Sequence, residues 1–129
     1  MTAGSSAPAA AGARPFALLP SGVRRTNLVE EFLRAPAPWV SRPIGQFNGQ
    51  VVKVITLDGD RCGWHVHEDA DELFWVVAGL VELCFRDGSV VLAPGELAVA
   101  PAGMAHRVVP LEPARLVVMQ PPASVARPA

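Results

Sequence analysis

From Ile44 onward the chain is broken by turn-forming dipeptides at short, nearly regular intervals, and this rhythm constrains the fold more than any other feature. Asn48-Gly49 lies between Ile44–Phe47 and Val51–Leu57, a two-residue hairpin signal because both turn positions favour positive φ. Asp58-Gly59-Asp60 closes the second run, and Trp64–His67 reads as a short extended piece. Glu72–Val77 is β-branched and aromatic, and Gly79 interrupts it. Val81–Phe85 and Ser89–Leu92 flank Asp87-Gly88, a second hairpin. Pro94-Gly95 and Pro101-Ala102-Gly103 bracket Leu97–Ala100, and His106–Val109 and Arg115–Met119 complete the set. About eight or nine short strands, turned roughly every 8–12 residues, predict an all-β sandwich or barrel. A barrel also removes exposed strand edges.

Ahead of the strands stands one helix candidate, Asn27–Arg34. Asn27 supplies the N-cap with Glu30 placed to answer it, and Ala35-Pro36 stops the helix. Leu28, Val29, Phe32 and Leu33 form its apolar face. Nine of the thirteen prolines fall outside residues 44–120. Residues 1–26 therefore read as a disordered or extended arm, 27–120 as one β-barrel domain with its leading helix, and 121–129 as a flexible tail.

The composition excludes several classes. At 129 residues, 50% apolar and 18% charged, the chain suits one folded domain rather than a disordered segment. A net charge of −1 leaves no basic excess for nucleic acid or an anionic membrane. The longest apolar run, Leu73–Val81, falls far short of the ~20 residues of a membrane helix. No signal-peptide pattern opens the chain, and Cys62 and Cys84 form neither a C-x-x-C pair nor a disulfide framework. A cytoplasmic protein with free thiols is the expectation.

The histidines carry the chemistry. There are only three. His65 and His67 stand two apart in an extended segment, so both rings leave one face and can chelate one ion. Glu72 opens the strand ELFWVV on the face of Phe74 and Val76, where an interior carboxylate needs a cation. Glu68, Asp69 and Asp71 read as a solvated loop. His106 begins a strand just after the Pro101–Gly103 turn. Three imidazoles and a carboxylate suit one divalent Mn, Fe, Co, Ni, Cu or Zn ion. Six-coordination leaves two positions open, whereas tetrahedral zinc makes a closed structural site, and spacing does not choose between them.

These residues resemble the two-part signature of the cupin superfamily. The first half, G-x5-H-x-H-x3,4-E-x6-G, is matched by Gly59, His65, His67, Glu72 and Gly79. The second, G-x5-P-x-G-x2-H-x3-N, is matched by Gly95, Pro101, Gly103 and His106, with Pro110 at the Asn position. The resemblance is closest to small single-domain cupins of the mannose-6-phosphate-isomerase-like type, whose reaction is often unassigned. It implies a jelly-roll β-barrel with His65, His67, Glu72 and His106 around one divalent metal, and a small-molecule ligand in the barrel.

The functional expectation is a metal-dependent enzyme, dioxygenase- or lyase-like, on a small chelating molecule. No separate catalytic acid or base is evident, which counts against isomerase chemistry on a sugar-type substrate. The alternatives are a non-catalytic binding or sensing module and a purely structural metal. Lys53, the only lysine, reads as a solvated strand residue, with anchoring of an anionic substrate as the alternative. Cys62 reads as a small core residue rather than a redox group at the pocket mouth, and Phe47, Met104 and Met119 as core. The strand Glu72–Val77 is apolar on both faces and needs cover on both, which together with the family habit predicts a homodimer.

Overall fold

A computed structural model describes residues 21–122 and 124–129. The expected arm therefore lies mostly outside the described residues. Among the described residues, ten strands form two antiparallel five-stranded sheets. One sheet joins β1 (Arg42–Phe47), β2 (Gln50–Leu57), β9 (Ala114–Gln120), β4 (Glu72–Ala78) and β7 (Leu97–Ala100), in the order β1-β2-β9-β4-β7. The other joins β3 (His65–Val66), β5 (Val81–Phe85), β6 (Gly88–Leu92), β8 (His106–Pro110) and β10 (Arg127–Pro128), in the order β10-β3-β8-β5-β6. Among the described residues, no helix is long and apolar enough to cross a membrane.

The local signals explain most of these elements. Asn48 and Gly49 take φ of 50° and 77°, the twist a two-residue hairpin requires, and Phe47 pairs with Gln50 across them. The second hairpin turns one residue earlier than its Asp-Gly pair suggests: Phe85 pairs with Gly88, so the turn is Arg86-Asp87. Gly79 allows the β4–β5 turn to pass close to β9. At φ 85° its position would place a Cβ only 2.2 Å from the Pro113 carbonyl oxygen, so no side chain fits.

The main core lies between the sheets. Phe74, Val76, Leu116 and Val118 from the first sheet meet Val81, Leu83, Leu92 and Val108 from the second. A second, smaller cluster sits on the outer face of the first sheet. There α1 (Leu28–Leu33) lays Phe32 against Val54 and Val117, with Leu28 alongside. Asn27 caps this helix as expected, accepting from the Glu30 amide at 3.1 Å. Glu31 leaves the helix to pair with Arg42 on β1 at 2.8 Å. Only half of the expected apolar face is used, because Val29 and Leu33 remain exposed. At six residues the helix is too short to wrap further.

Phe47 and Met104, expected in the core, are also exposed, Phe47 at a hairpin tip and Met104 in the loop before β8. Where the sequence suggests a loose tail, Arg127 and Pro128 pair with Val66 and His65 to make β10, and the Ala129 amide donates to the Trp64 carbonyl at 3.1 Å.

Candidate metal centre

The strand register brings the four proposed ligands together. His65 pairs directly with His106 across β3 and β8, which sets their rings 4.3 Å apart between centroids. His67 lies just beyond β3, where the Gly103 amide donates to its carbonyl at 2.8 Å. Glu72, at the start of β4, points inward from the facing sheet and is only 8% exposed. Asp71 beside it accepts from the Ala102 amide at 2.9 Å, so the Pro101–Gly103 turn is braced against the Glu72 strand. His67 and His106 are buried, and His65 is half-buried. One ligand atom from each of the four residues falls within 4.8 Å of every other.

The outer hydrogen bonds set the imidazole tautomers. Nδ1 of His65 lies 3.0 Å from the Gly63 carbonyl, and Nδ1 of His106 lies 3.0 Å from the Met104 carbonyl. A carbonyl only accepts, so each Nδ1 carries a proton, and in the neutral ring it leaves the lone pair on Nε2. Nδ1 of His67 bonds to the Ser124 hydroxyl at 2.8 Å, which accommodates the same tautomer. On the inner side, Nε2 of His67 and Nε2 of His106 lie 3.1 and 3.2 Å from the same Glu72 oxygen, Oε1. Lone pairs meeting a carboxylate oxygen at that distance repel unless a proton or a metal ion lies between them. Orientation of metal-binding histidines through the far nitrogen is the usual device for aiming Nε2 at an ion. The residues present therefore fit a divalent transition metal.

The charges agree with this geometry. Burial drives the His67 pKa below its ordinary value, opposed by Glu72 and reinforced by the other two histidines, which keeps the ring neutral. His65 differs, with a pKa raised to about 8, chiefly through its hydrogen bond with Cys62. Burial alone would raise the Cys62 thiol, but the His65 contact, the Val108 amide and the charges of His65 and Arg107 outweigh it and hold it below the usual value. The Cys62 sulfur is 3.7 Å from His65 Nδ1, so this residue is more than small core filler.

Beside the cluster opens a cavity of about 290 Å³. Its walls are largely apolar, built from Ile55, Leu57, Phe74, Val108, Leu116 and Val118. Trp39 closes one side, held at φ 70° by its backbone amide donating to Thr56 and its indole donating to Asp58. Lys53, expected to be solvated, instead lines this cavity, because β2 turns residues 53, 55 and 57 inward. The Gln120 carboxamide links it to the centre. Oriented to satisfy both neighbours, its nitrogen donates to Glu72 Oε2 and its oxygen accepts from Lys53 Nζ, each at 3.0 Å. Gln120, Ser124 and Trp39 escaped sequence reading, since nothing in their local sequence marks a residue that contacts Glu72, contacts His67 or closes the cavity.

A profile of the cupin domain family matches residues 53–120. The chain belongs to the cupins. Solved structures agree. The cupin is 30% identical to a cupin-2 domain containing protein from Shewanella frigidimarina, over 74% of this chain and 93% of that one, with a TM-score of 0.70. It is 28% identical to a protein from Neisseria meningitidis, over 75% of this chain and 98% of that one, with a TM-score of 0.68. A sugar phosphate isomerase of the cupin superfamily from Silicibacter pomeroyi shares the fold, at 24% identity and a TM-score of 0.60, over 69% of this chain and 64% of that one. No curated protein matches the cupin.

Proposed function

We propose that His65, His67, Glu72 and His106 hold one divalent transition metal, and that this cupin is a metal-dependent enzyme acting on a small chelating molecule in the adjoining cavity. The convergence of two imidazole Nε2 atoms on one carboxylate oxygen, at the wall of a largely apolar cavity, carries this reading. In a six-coordinate ion the four side chains would leave two positions for substrate. When bound, the ion supplies Lewis acidity toward a substrate oxygen or a place for dioxygen, in keeping with lyase- or dioxygenase-like chemistry. The protein contributes orientation through Gly63, Met104 and Ser124, and apolar walls that exclude water.

Protein purified without a His-tag and analysed by plasma mass spectrometry should carry about one transition metal per chain, and Glu72→Gln should lower metal affinity by at least ~100-fold, the upper range for substitutions one shell further out. Failure of the unmodified protein to retain Fe(II), Mn(II), Ni(II) or Zn(II) would overturn the metal reading. Metal-loaded protein inert toward a broad screen of chelating diols, diketones and thiols would overturn the enzymatic one.

The same reading includes a homodimer. The outer face of the first sheet is half covered by α1, while Trp75, Leu97 and Val99 remain exposed on the β4–β7 side. Light scattering at micromolar concentration should give twice the 13.6 kDa chain mass, and a monomer mass would exclude it.

A further inference from the structure

Lys53 has a chemistry that the metal reading does not use. It is the only lysine in the chain, and it lines the cavity from the inner face of β2, half-buried. Among the described residues, no carboxylate lies within ion-pairing distance of it; its one polar neighbour in the site is the neutral Gln120 carboxamide. That carboxamide is itself fixed by Glu72, so the ammonium is held at a set position relative to the centre.

The charge balance of the site points the same way. Among the described residues, Glu72 is the only acidic one lining the cavity, and it is committed to the histidine cluster. Three neutral imidazoles, one carboxylate and a divalent ion leave an excess of positive charge, and Lys53 adds to it. An excess of this kind in a small, mostly apolar cavity is costly unless the ligand brings the compensating charge.

Resting on the metal reading, we propose that Lys53 is the specificity-determining residue of this site, and that the substrate is a small organic acid. One end of the acid chelates the metal, and a further carboxylate pairs with the Lys53 ammonium. The cavity, at about 290 Å³, sits near the lower limit of ligand pockets, which confines the acid to a small molecule. The Gln120 carboxamide is the positioning residue. It donates to Glu72 and accepts from Lys53, so it keeps the ammonium from collapsing onto the metal-binding carboxylate.

Calorimetry on metal-loaded protein tests this with two probes, malate and lactate. Both offer a 2-hydroxy carboxylate to the metal, and only malate carries a second carboxylate. The unmodified protein should bind malate at least ~10-fold more tightly than lactate, as one charge-assisted contact predicts. Lys53→Met should erase that preference while lactate affinity and metal content stay unchanged, and Lys53→Arg should restore part of it. A malate preference that survives in Lys53→Met, or no preference in the unmodified protein, overturns the assignment while leaving the metal centre intact. Loss of metal from unmodified protein would instead strike the metal reading itself.

Discussion

The two ends of the barrel are built from the same strands and differ in almost every physical respect. At one end, β4 begins with Glu72, β8 begins with His106, β9 finishes with Gln120 and β2 carries Lys53 near its start. At the other, β4 presents Val76, joined by Val81, Leu83 and Leu92, which do not line the cavity. The antiparallel register makes this division possible. Val51 pairs with Gln120 and Leu57 with Ala114, so polar residues from opposite ends of two strands arrive at one end of the barrel. The apolar end can then supply stability that the polar end, with its buried ionisable groups, does not.

If that division of labour is real, damage to one end should leave the other nearly unchanged. The largest effect is expected at the apolar end. Leu83 is fully buried, and Leu83→Ala should destabilise the fold by about 2–5 kcal/mol in urea unfolding, with metal stoichiometry of the remaining folded protein unaltered. Equal loss of stability and metal affinity would show that the two ends are coupled after all.

A smaller effect, of opposite character, is expected at the polar end. Ser124→Ala removes the hydroxyl on His67 Nδ1 and should weaken metal binding by roughly 10–100-fold while the unfolding midpoint of metal-free protein hardly moves. A large stability loss with metal affinity intact would assign Ser124 to the fold instead.

The mildest expectation concerns pH. His65 is protonated below about 8 in the metal-free protein, and a metal ion must displace that proton. Apparent metal affinity should therefore climb by up to about tenfold per unit as pH rises toward 8 and level off above it, for this one proton. In Cys62→Ala the main cause of the raised value is gone, so the plateau should begin at lower pH. A titration of metal affinity that is flat between pH 6 and 8 would remove His65 from the set of competing groups.

Much of this molecule was legible in one dimension. Turn chemistry at Asn48-Gly49, alternation in Glu72–Val77 and the cap at Asn27 act between near neighbours, so local sequence carries them. The H-x-H spacing and the inward phase of Glu72 are likewise matters of strand period, which is why the cluster could be anticipated. Exposure of Phe47, Met104, Val29 and Leu33 could not be read so, because whether an apolar side chain is covered depends on what packs over it.

What the sequence by itself determined, then, is the all-β character, the positions of most strands and the identity of four residues able to share an ion. The tertiary structure alone decided the surroundings of that group. Pairing of β2 with β9 and of β9 with β4 set Lys53, Gln120 and Glu72 in one polar row, though 67 positions separate Lys53 from Gln120 in the chain. Return of the chain after β9 carried Ser124 to His67. Contacts of this kind depend on strand register over long sequence separations, and no local propensity encodes them.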